Sequence, residues 1–186
     1  MLDPDADPSR RRLLGGLCAG GLLCASTPAR ALTKADHAPF VTTPHEAVQR
    51  MLALAGTGPE DVVYDLGSGD GRIVIAAARD FGAKAVGIEF DYRLNAVARV
   101  NAQAEGVADR VRFLEQDLFD SDFSEATVVT LFLREAMNLR LKPLLLQQLQ
   151  PGTPIVSYRY GFGEWPPEHD ELFGGERIRL WTTPSS

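Results

Sequence analysis

Apolar residues along this chain gather in short β-branched runs, separated by stretches in which they recur every three or four positions. That alternation is the mark of a parallel sheet wrapped by helices. The runs at 62–66, 85–90, 111–115, 126–133 and 154–160 read as five strands. Between them, 72–81 reads as a helix stopped by Gly82 and 92–105 as a longer helix ended by Gly106. The segment 135–150 is also helical, and Pro143 is expected to split it in two. Ahead of the first strand, Thr43 followed by Pro44 and Glu46 has the form of a capping box with proline at the first helical position. Val48, Met51, Leu52 and Ala55 then line one helical face as far as Gly56. Beyond strand five, Gly174-Gly175 and the alternation of Ile178 and Leu180 with Arg177 and Arg179 predict a hairpin at the sheet edge.

The predicted class is therefore α/β: a Rossmann-like, doubly wound, mostly parallel sheet with helices on both faces and a C-terminal edge hairpin. With 186 residues, 45% of them hydrophobic, the chain suits one such domain, placed at 40–186. A net charge of −6 and a pI near 5.1 lack the basic footprint that phosphate-backbone binding requires, so nucleic acid is not an expected partner. The mean hydropathy is −0.10, and no apolar run approaches the roughly 20 residues needed to cross a bilayer.

Residues 1–31 follow a different pattern. Ser9-Arg10-Arg11-Arg12-Leu13-Leu14 precedes a short Gly, Leu, Ala and Cys stretch and then Ala29-Arg30-Ala31. Positive charge, a brief apolar core and an A-x-A site form a twin-arginine type export signal, with cleavage expected after Ala31 and 32–39 as a linker. The leader holds four Arg, three Asp and both cysteines, so its removal shifts the net charge from −6 to −7 and leaves no thiol for a disulfide, metal site or nucleophile. The expected location is the periplasm, or the cytoplasm if the leader is not functional, with no stable membrane insertion and a monomeric state.

The chemistry concentrates where the first strand meets a glycine loop, Asp65-Leu66-Gly67-Ser68-Gly69-Asp70-Gly71-Arg72. A dinucleotide fingerprint needs glycine where Arg72 stands, and a nucleotide P-loop needs a following Gly-Lys-Ser/Thr. Neither is present. An acid two residues before G-x-G-x-G resembles motif I of the class I S-adenosylmethionine-dependent methyltransferases, whose cofactor carries an ammonium and a sulfonium but no phosphate. A carboxylate such as Asp65 suits that charge and would repel a pyrophosphate. The resemblance spans residues 40 to about 160. It implies that Gly67, Ser68, Gly69 and Gly71 form the cofactor loop and that Glu89, 22 residues past Gly67, accepts hydrogen bonds from the ribose. It further implies that Asp117 meets the adenine edge and that Leu118 or Ile88 sandwiches the ring.

Strand four ends in Thr130-Leu131-Phe132-Leu133-Arg134, without the Asn/Asp-Pro-Pro-aromatic tetrad that methyltransferases of DNA bases and release factors use. Residues 39–44 and 65–75 are similar to the small protein-lysine methyltransferases that modify the adenine nucleotide translocase and the c-ring protein of ATP synthase, and to exported bacterial methyltransferase-domain proteins. The methyl acceptor is accordingly expected to be a protein lysine; a small molecule, or a binding module without turnover, stays open. Thr42, Thr43, Tyr158, Tyr160 and Phe162 are candidates for lining an acceptor slot, with Thr43, Tyr158 and Tyr160 as the catalytic candidates. Period-two aromatics also serve as ordinary core. Trp165-Pro166-Pro167 reads as a rigid turn and 164–171 as a solvated loop. His37, His45 and His169 show no metal-ligand spacing and are expected at the surface.

Overall fold

The computed structural model describes residues 41–184, so the leader and linker lie outside the described residues. Seven strands form one sheet: β1 (Val62–Leu66), β2 (Lys84–Glu89), β3 (Val111–Glu115), β4 (Val128–Leu131), β5 (Pro154–Tyr158), β6 (His169–Phe173) and β7 (Glu176–Thr182). Their order is β3-β2-β1-β4-β5-β7-β6. The first five are mutually parallel, whereas β7 runs antiparallel to β5 and to β6. β1 and β4 are buried along nearly their whole length, as the continuous apolar run of an interior parallel strand requires. The strand order reverses between β1 and β4, so a crevice opens at the carboxyl ends of these strands, where open α/β sheets bind ligands.

Helices cover both faces. α1 (His45–Leu54), α2 (Arg72–Phe81) and α3 (Tyr92–Ala104) pack on one side around Met51, Leu52, Val74, Ala98 and Phe113. α4 (Glu135–Gln148) and a 3-10 turn at Leu118–Asp120 cover the other, around Leu66, Phe123, Leu141, Leu145 and Trp181. In α2 the small run Ala76-Ala77-Ala78 is fully buried, which brings this helix close to the sheet. α1 is fastened at its middle to the edge strand: Arg50 Nε and Nη2 donate to the two carboxylate oxygens of Glu171 at 2.5 and 2.7 Å. That fork, helped by His169, holds the Glu171 carboxyl down at about 2.

Four local expectations are corrected. The capping box does not form: α1 starts at His45 with Pro44 as its N-cap in extended conformation, and the Thr43 side chain is buried instead of bonding the first turn. Pro143 does not split α4, which runs unbroken through it. Pro143 and Leu139 are both exposed, so the amide bond that Pro143 removes lies on the solvent-facing side of the helix. β5 ends at Tyr158, short of Tyr160, because Arg159 turns to φ 71°. The solvated loop is shorter than expected, since His169 to Glu171 already belong to β6. The hairpin itself forms, turned by Gly174 and Gly175 at φ 61° and 90°, with β6 outermost and β7 inserted beside β5.

Pro143→Ala restores an amide donor to an exposed helix interior. It is expected to stabilise the protein by about 1 to 2 kcal/mol in urea titrations followed by far-ultraviolet circular dichroism.

Candidate active site

The glycine loop between β1 and α2 directs its hydrogen bonds inward. The amides of Gly67 and Ser68 both donate to the Ile88 carbonyl at 2.9 and 3.0 Å, and the Gly69 amide donates to Glu89 Oε2 at 3.0 Å. The Gly71 amide donates to the Ser68 carbonyl at 2.9 Å and the Arg72 amide to Asp70 Oδ1 at 3.3 Å. These five donors, which a phosphate-binding loop would offer to its ligand, are already spent. Asp70 moreover stands at the N-terminus of α2, where an anion would sit, and is itself forked by Arg72 at 2.9 and 2.5 Å. A pyrophosphate is therefore unsuited on both counts. Glycine is required at Gly67 and Gly71, with φ of 86° and 80°: a Cβ there would come within 2.8 Å of the Leu133 side chain or the Phe113 ring.

Asp65, the fourth residue of β1, is only 2% exposed and accepts from Thr130 Oγ1 of the adjacent β4 at 2.8 Å. Burial pushes its carboxyl up to about 7, the Thr130 hydroxyl opposes the rise, and the nearby Glu89 and Asp70 add to it. The group is thus poised to ionise when a cation arrives. Glu89 ends β2 and joins two turns, with Oε2 on the Gly69 amide and Oε1 on the Asp91 amide at 2.9 Å. A carboxylate has about four lone-pair sites, so capacity for two hydroxyl donors is left. Asn95 of α3 fixes the same strand end by donating to the Glu89 carbonyl at 2.7 Å. Asp117 caps the 3-10 turn through the Phe119 amide at 3.0 Å, which places Leu118 beside it with its side chain nearly buried.

Two of the predicted cofactor contacts are committed to the frame of the loop and to the core. Ser68 packs on Gly87, so closely that a Cβ on Gly87 would lie 2.5 Å from its hydroxyl oxygen, and that hydroxyl is buried without a partner. With its amide and carbonyl also committed, Ser68 builds the loop. Ile88 is fully buried in the α4-side core, and Leu118, the apolar neighbour of Asp117, is nearly buried in the same core.

On the acceptor side the structure brings Tyr158 and Tyr160 together through Phe132, at the end of β4. Tyr158 meets the Phe132 ring edge to face at 5.0 Å, and Tyr160 lies nearly parallel to it at 6.4 Å. Burial and the nearby Glu176 raise the Tyr158 phenol, so it is protonated at neutral pH. Phe162 does not join this group: it is core, packed on Trp165 and Trp181 with centroids at 5.3 and 4.8 Å. Thr43 is buried, and its carbonyl accepts from Arg72 Nη1 at 2.8 Å, which ties the segment before α1 to the glycine loop. Thr42 is exposed. His45 and His169 are exposed, while His37 lies outside the described residues. Trp165 hydrogen-bonds through its carbonyl to Trp181 Nε1 at 3.0 Å, consistent with a fixed turn.

Thr130, Phe132 and Arg72 are the site residues that the sequence reading did not assign. A lone hydroxyl within the apolar run Val-Val-Thr-Leu was the available signal for Thr130.

Two outcomes are expected. The folded-state value of Asp65 lies above its ordinary 3.8, so its contribution to stability is present below pH 4 and lost as pH rises through about 7. Asp65→Asn should abolish that loss, by up to about 4 kcal/mol, in denaturant titrations of ligand-free protein from pH 4 to 8. Ser68→Ala removes an unpaired hydroxyl and is expected to be neutral or to stabilise by about 1 kcal/mol in the same titrations.

Comparison with known proteins agrees with this geometry. The ANTKMT methyltransferase domain matches residues 65–169. A protein-lysine N-methyltransferase of Saccharolobus islandicus is 45% identical over 133 residues, covering 71% of this chain and 83% of its own length. The lysine N-methyltransferase that acts on the ATP synthase c-ring protein in Xenopus laevis is 37% identical over 174 residues, covering 91% and 74%. The crystal structure of a protein from Salinibacter ruber, described as an RNA methyltransferase in complex with S-adenosyl-L-homocysteine, superposes with a TM-score of 0.77. It is 52% identical and covers 78% of this chain and 95% of that one. A loop whose Gly67, Ser68, Gly69, Gly71 and Arg72 amides are already bonded, with Asp65 on β1 and Glu89 at the end of β2, fits the same cationic nucleoside. The chain belongs to the ANTKMT methyltransferase domain family and is an S-adenosylmethionine-dependent methyltransferase.

Proposed function

We propose that this enzyme N-methylates lysine side chains of a protein acceptor. The observation that carries the reading is the aromatic group Phe132, Tyr158 and Tyr160 at the carboxyl ends of β4 and β5, two residues beyond the Thr130 that bonds Asp65. The lysine specificity named for the Saccharolobus and Xenopus relatives supports the same acceptor. The cofactor supplies an electrophilic methyl group on a positively charged sulfur. Asp65 would hold its ammonium, Glu89 the ribose hydroxyls and Asp117 with Leu118 the adenine, while Gly67, Gly69 and Gly71 let backbone approach.

The residues of the chain have two further tasks. An acceptor lysine must lose a proton before it can attack, and its ordinary value near 10.4 leaves little free amine at pH 7. The apolar surfaces of Phe132 and Tyr158 disfavour the ammonium and lower that value, so positioning and desolvation carry much of the rate without a dedicated base. The aromatic faces attract the cation as it enters. Tyr158, protonated at neutral pH, acts here as wall and not as proton acceptor. The twin-arginine type export pattern read in residues 1–31 supports an acceptor in the cell envelope. An RNA acceptor is the second reading, favoured by the description of the Salinibacter structure; the net charge of −6 and the absence of a planar-nitrogen tetrad after β4 favour protein.

Tritiated methyl transfer to envelope protein and to RNA decides between them. Label recovered as methyl-lysine after acid hydrolysis is expected, and label confined to RNA overturns the lysine reading. Asp65→Ala and Glu89→Ala should each weaken S-adenosylhomocysteine binding by about 1 to 3 kcal/mol in isothermal titration. Wild-type affinity should fall as pH drops below about 7, where Asp65 takes up a proton, and Asp65→Asn should flatten that dependence.

A further inference from the structure

Directly after β5 the backbone makes a turn that this sequence does not favour. Arg159 sits at φ 71°, the one residue other than glycine with positive φ among the described residues. Arginine has no intrinsic preference for that region, so the surrounding structure must impose it, and such imposed conformations gather where a binding site needs a fixed geometry. Here the imposing groups are visible. The Arg159 amide donates to the Arg177 carbonyl of β7 at 2.6 Å, and its carbonyl accepts from Arg179 Nη1 at 2.9 Å.

The next residue is clasped from beneath. The Tyr160 carbonyl accepts from Ser157 Oγ at 2.6 Å and from Asn138 Nδ2 at 3.4 Å, and Asn138 Nδ2 also donates to the Gly161 carbonyl at 3.0 Å. Ser157 and Asn138 are both fully buried, and Asn138 Oδ1 has no partner. A buried asparagine left half satisfied is costly in the middle of a core. Both side chains spend their donors on one turn, and that turn places the Tyr160 ring parallel to Phe132.

We propose that Asn138 and Ser157 are positioning residues for the methyl acceptor. By clasping the Tyr160 carbonyl they hold the Tyr160 ring stacked on Phe132, and hence set the shape of the aromatic wall along which the acceptor side chain reaches the cofactor. Neither residue touches Asp65, Glu89 or Asp117, so they act on the acceptor and not on cofactor affinity. The inference rests on the acceptor slot described above.

The test labels the four tyrosines with 3-fluorotyrosine and assigns Tyr160 in the ¹⁹F spectrum by its loss in Tyr160→Phe. Ser157→Ala is the main variant, since it removes one hydroxyl at little packing cost, and Asn138→Asp is the second. In ligand-free Ser157→Ala the Tyr160 signal is expected to shift or broaden while that of Tyr64 stays in place. S-adenosylhomocysteine affinity is expected to stay within about twofold of wild type. With envelope protein as acceptor, the half-saturating amount of extract should rise about tenfold or more, with a smaller change in maximal rate. An unmoved Tyr160 signal in both variants overturns the clasp. A loss of S-adenosylhomocysteine affinity that parallels the loss of labelling overturns a role specific to the acceptor. If wild-type enzyme labels RNA and not protein, the lysine reading fails, while the ¹⁹F and titration results still decide whether Asn138 and Ser157 position Tyr160.

Discussion

The site depends on where the glycine loop spends its hydrogen bonds. Three consecutive amides, Gly67 to Gly69, are drawn onto the end of β2, two to the Ile88 carbonyl and one to the Glu89 carboxylate. That choice anchors the loop to the neighbouring strand without help from a ligand, and it converts Glu89 from a loose strand-end acid into part of the frame. It also takes from the loop the donors that make related turns into phosphate cradles. Beside these committed amides stand the carboxylates of Asp65 and Glu89, which suit a positively charged nucleoside better than a phosphate.

Electrostatics follow from that frame. Asp65, Asp70 and Glu89 converge on one loop, and like charges at close range are tolerable only if one of them gives way. Asp70 is neutralised by the Arg72 fork and Glu89 is bonded by two amides, so Asp65, whose proton is held more tightly first by its burial and then by these two neighbours, is the acid that gives way. A bound ammonium relieves the repulsion and the desolvation together. Arg72 thereby serves two functions: it neutralises Asp70 and, through the Thr43 carbonyl, it holds the segment that precedes α1.

The sheet, the helix on each face and the cofactor acids could be read from the sequence because they rest on local signals: period, flanking glycine and the offset of an acid from a strand end. Where the reading failed, a tertiary contact had outweighed a local rule. Thr43 has the right neighbours for a cap, but its carbonyl is claimed by Arg72 and its side chain is buried. Pro143 should interrupt a helix, yet it lies on the exposed side of α4, and the buried Leu141 and Leu145 hold the helix on the sheet to either side of it. The period-two aromatics suggest a single strand, and the turn at Arg159 divides them between slot and core in a way that no period announces. Thr130 and Asn138 escape a reading of the sequence because a buried polar side chain is defined by its partners, which lie 65 and 23 residues away along the chain.

The insertion of β7 between β5 and β6 has a consequence for how the chain matures. β5 already holds four buried residues and presents an unpaired edge until the last strand of the sheet arrives. Because β7 follows every other described element along the chain, that apolar border stays open until β7 is made, and an intermediate halted there is a sticky template for a second copy. The hairpin closes that border and leaves the strand His169–Phe173, with His169, Asp170 and Glu171, as the new edge. A polypeptide cut short within residues 176–182 would thus suffer in solubility, and a cut ahead of Arg177 would also remove the groups that hold the turn at Arg159.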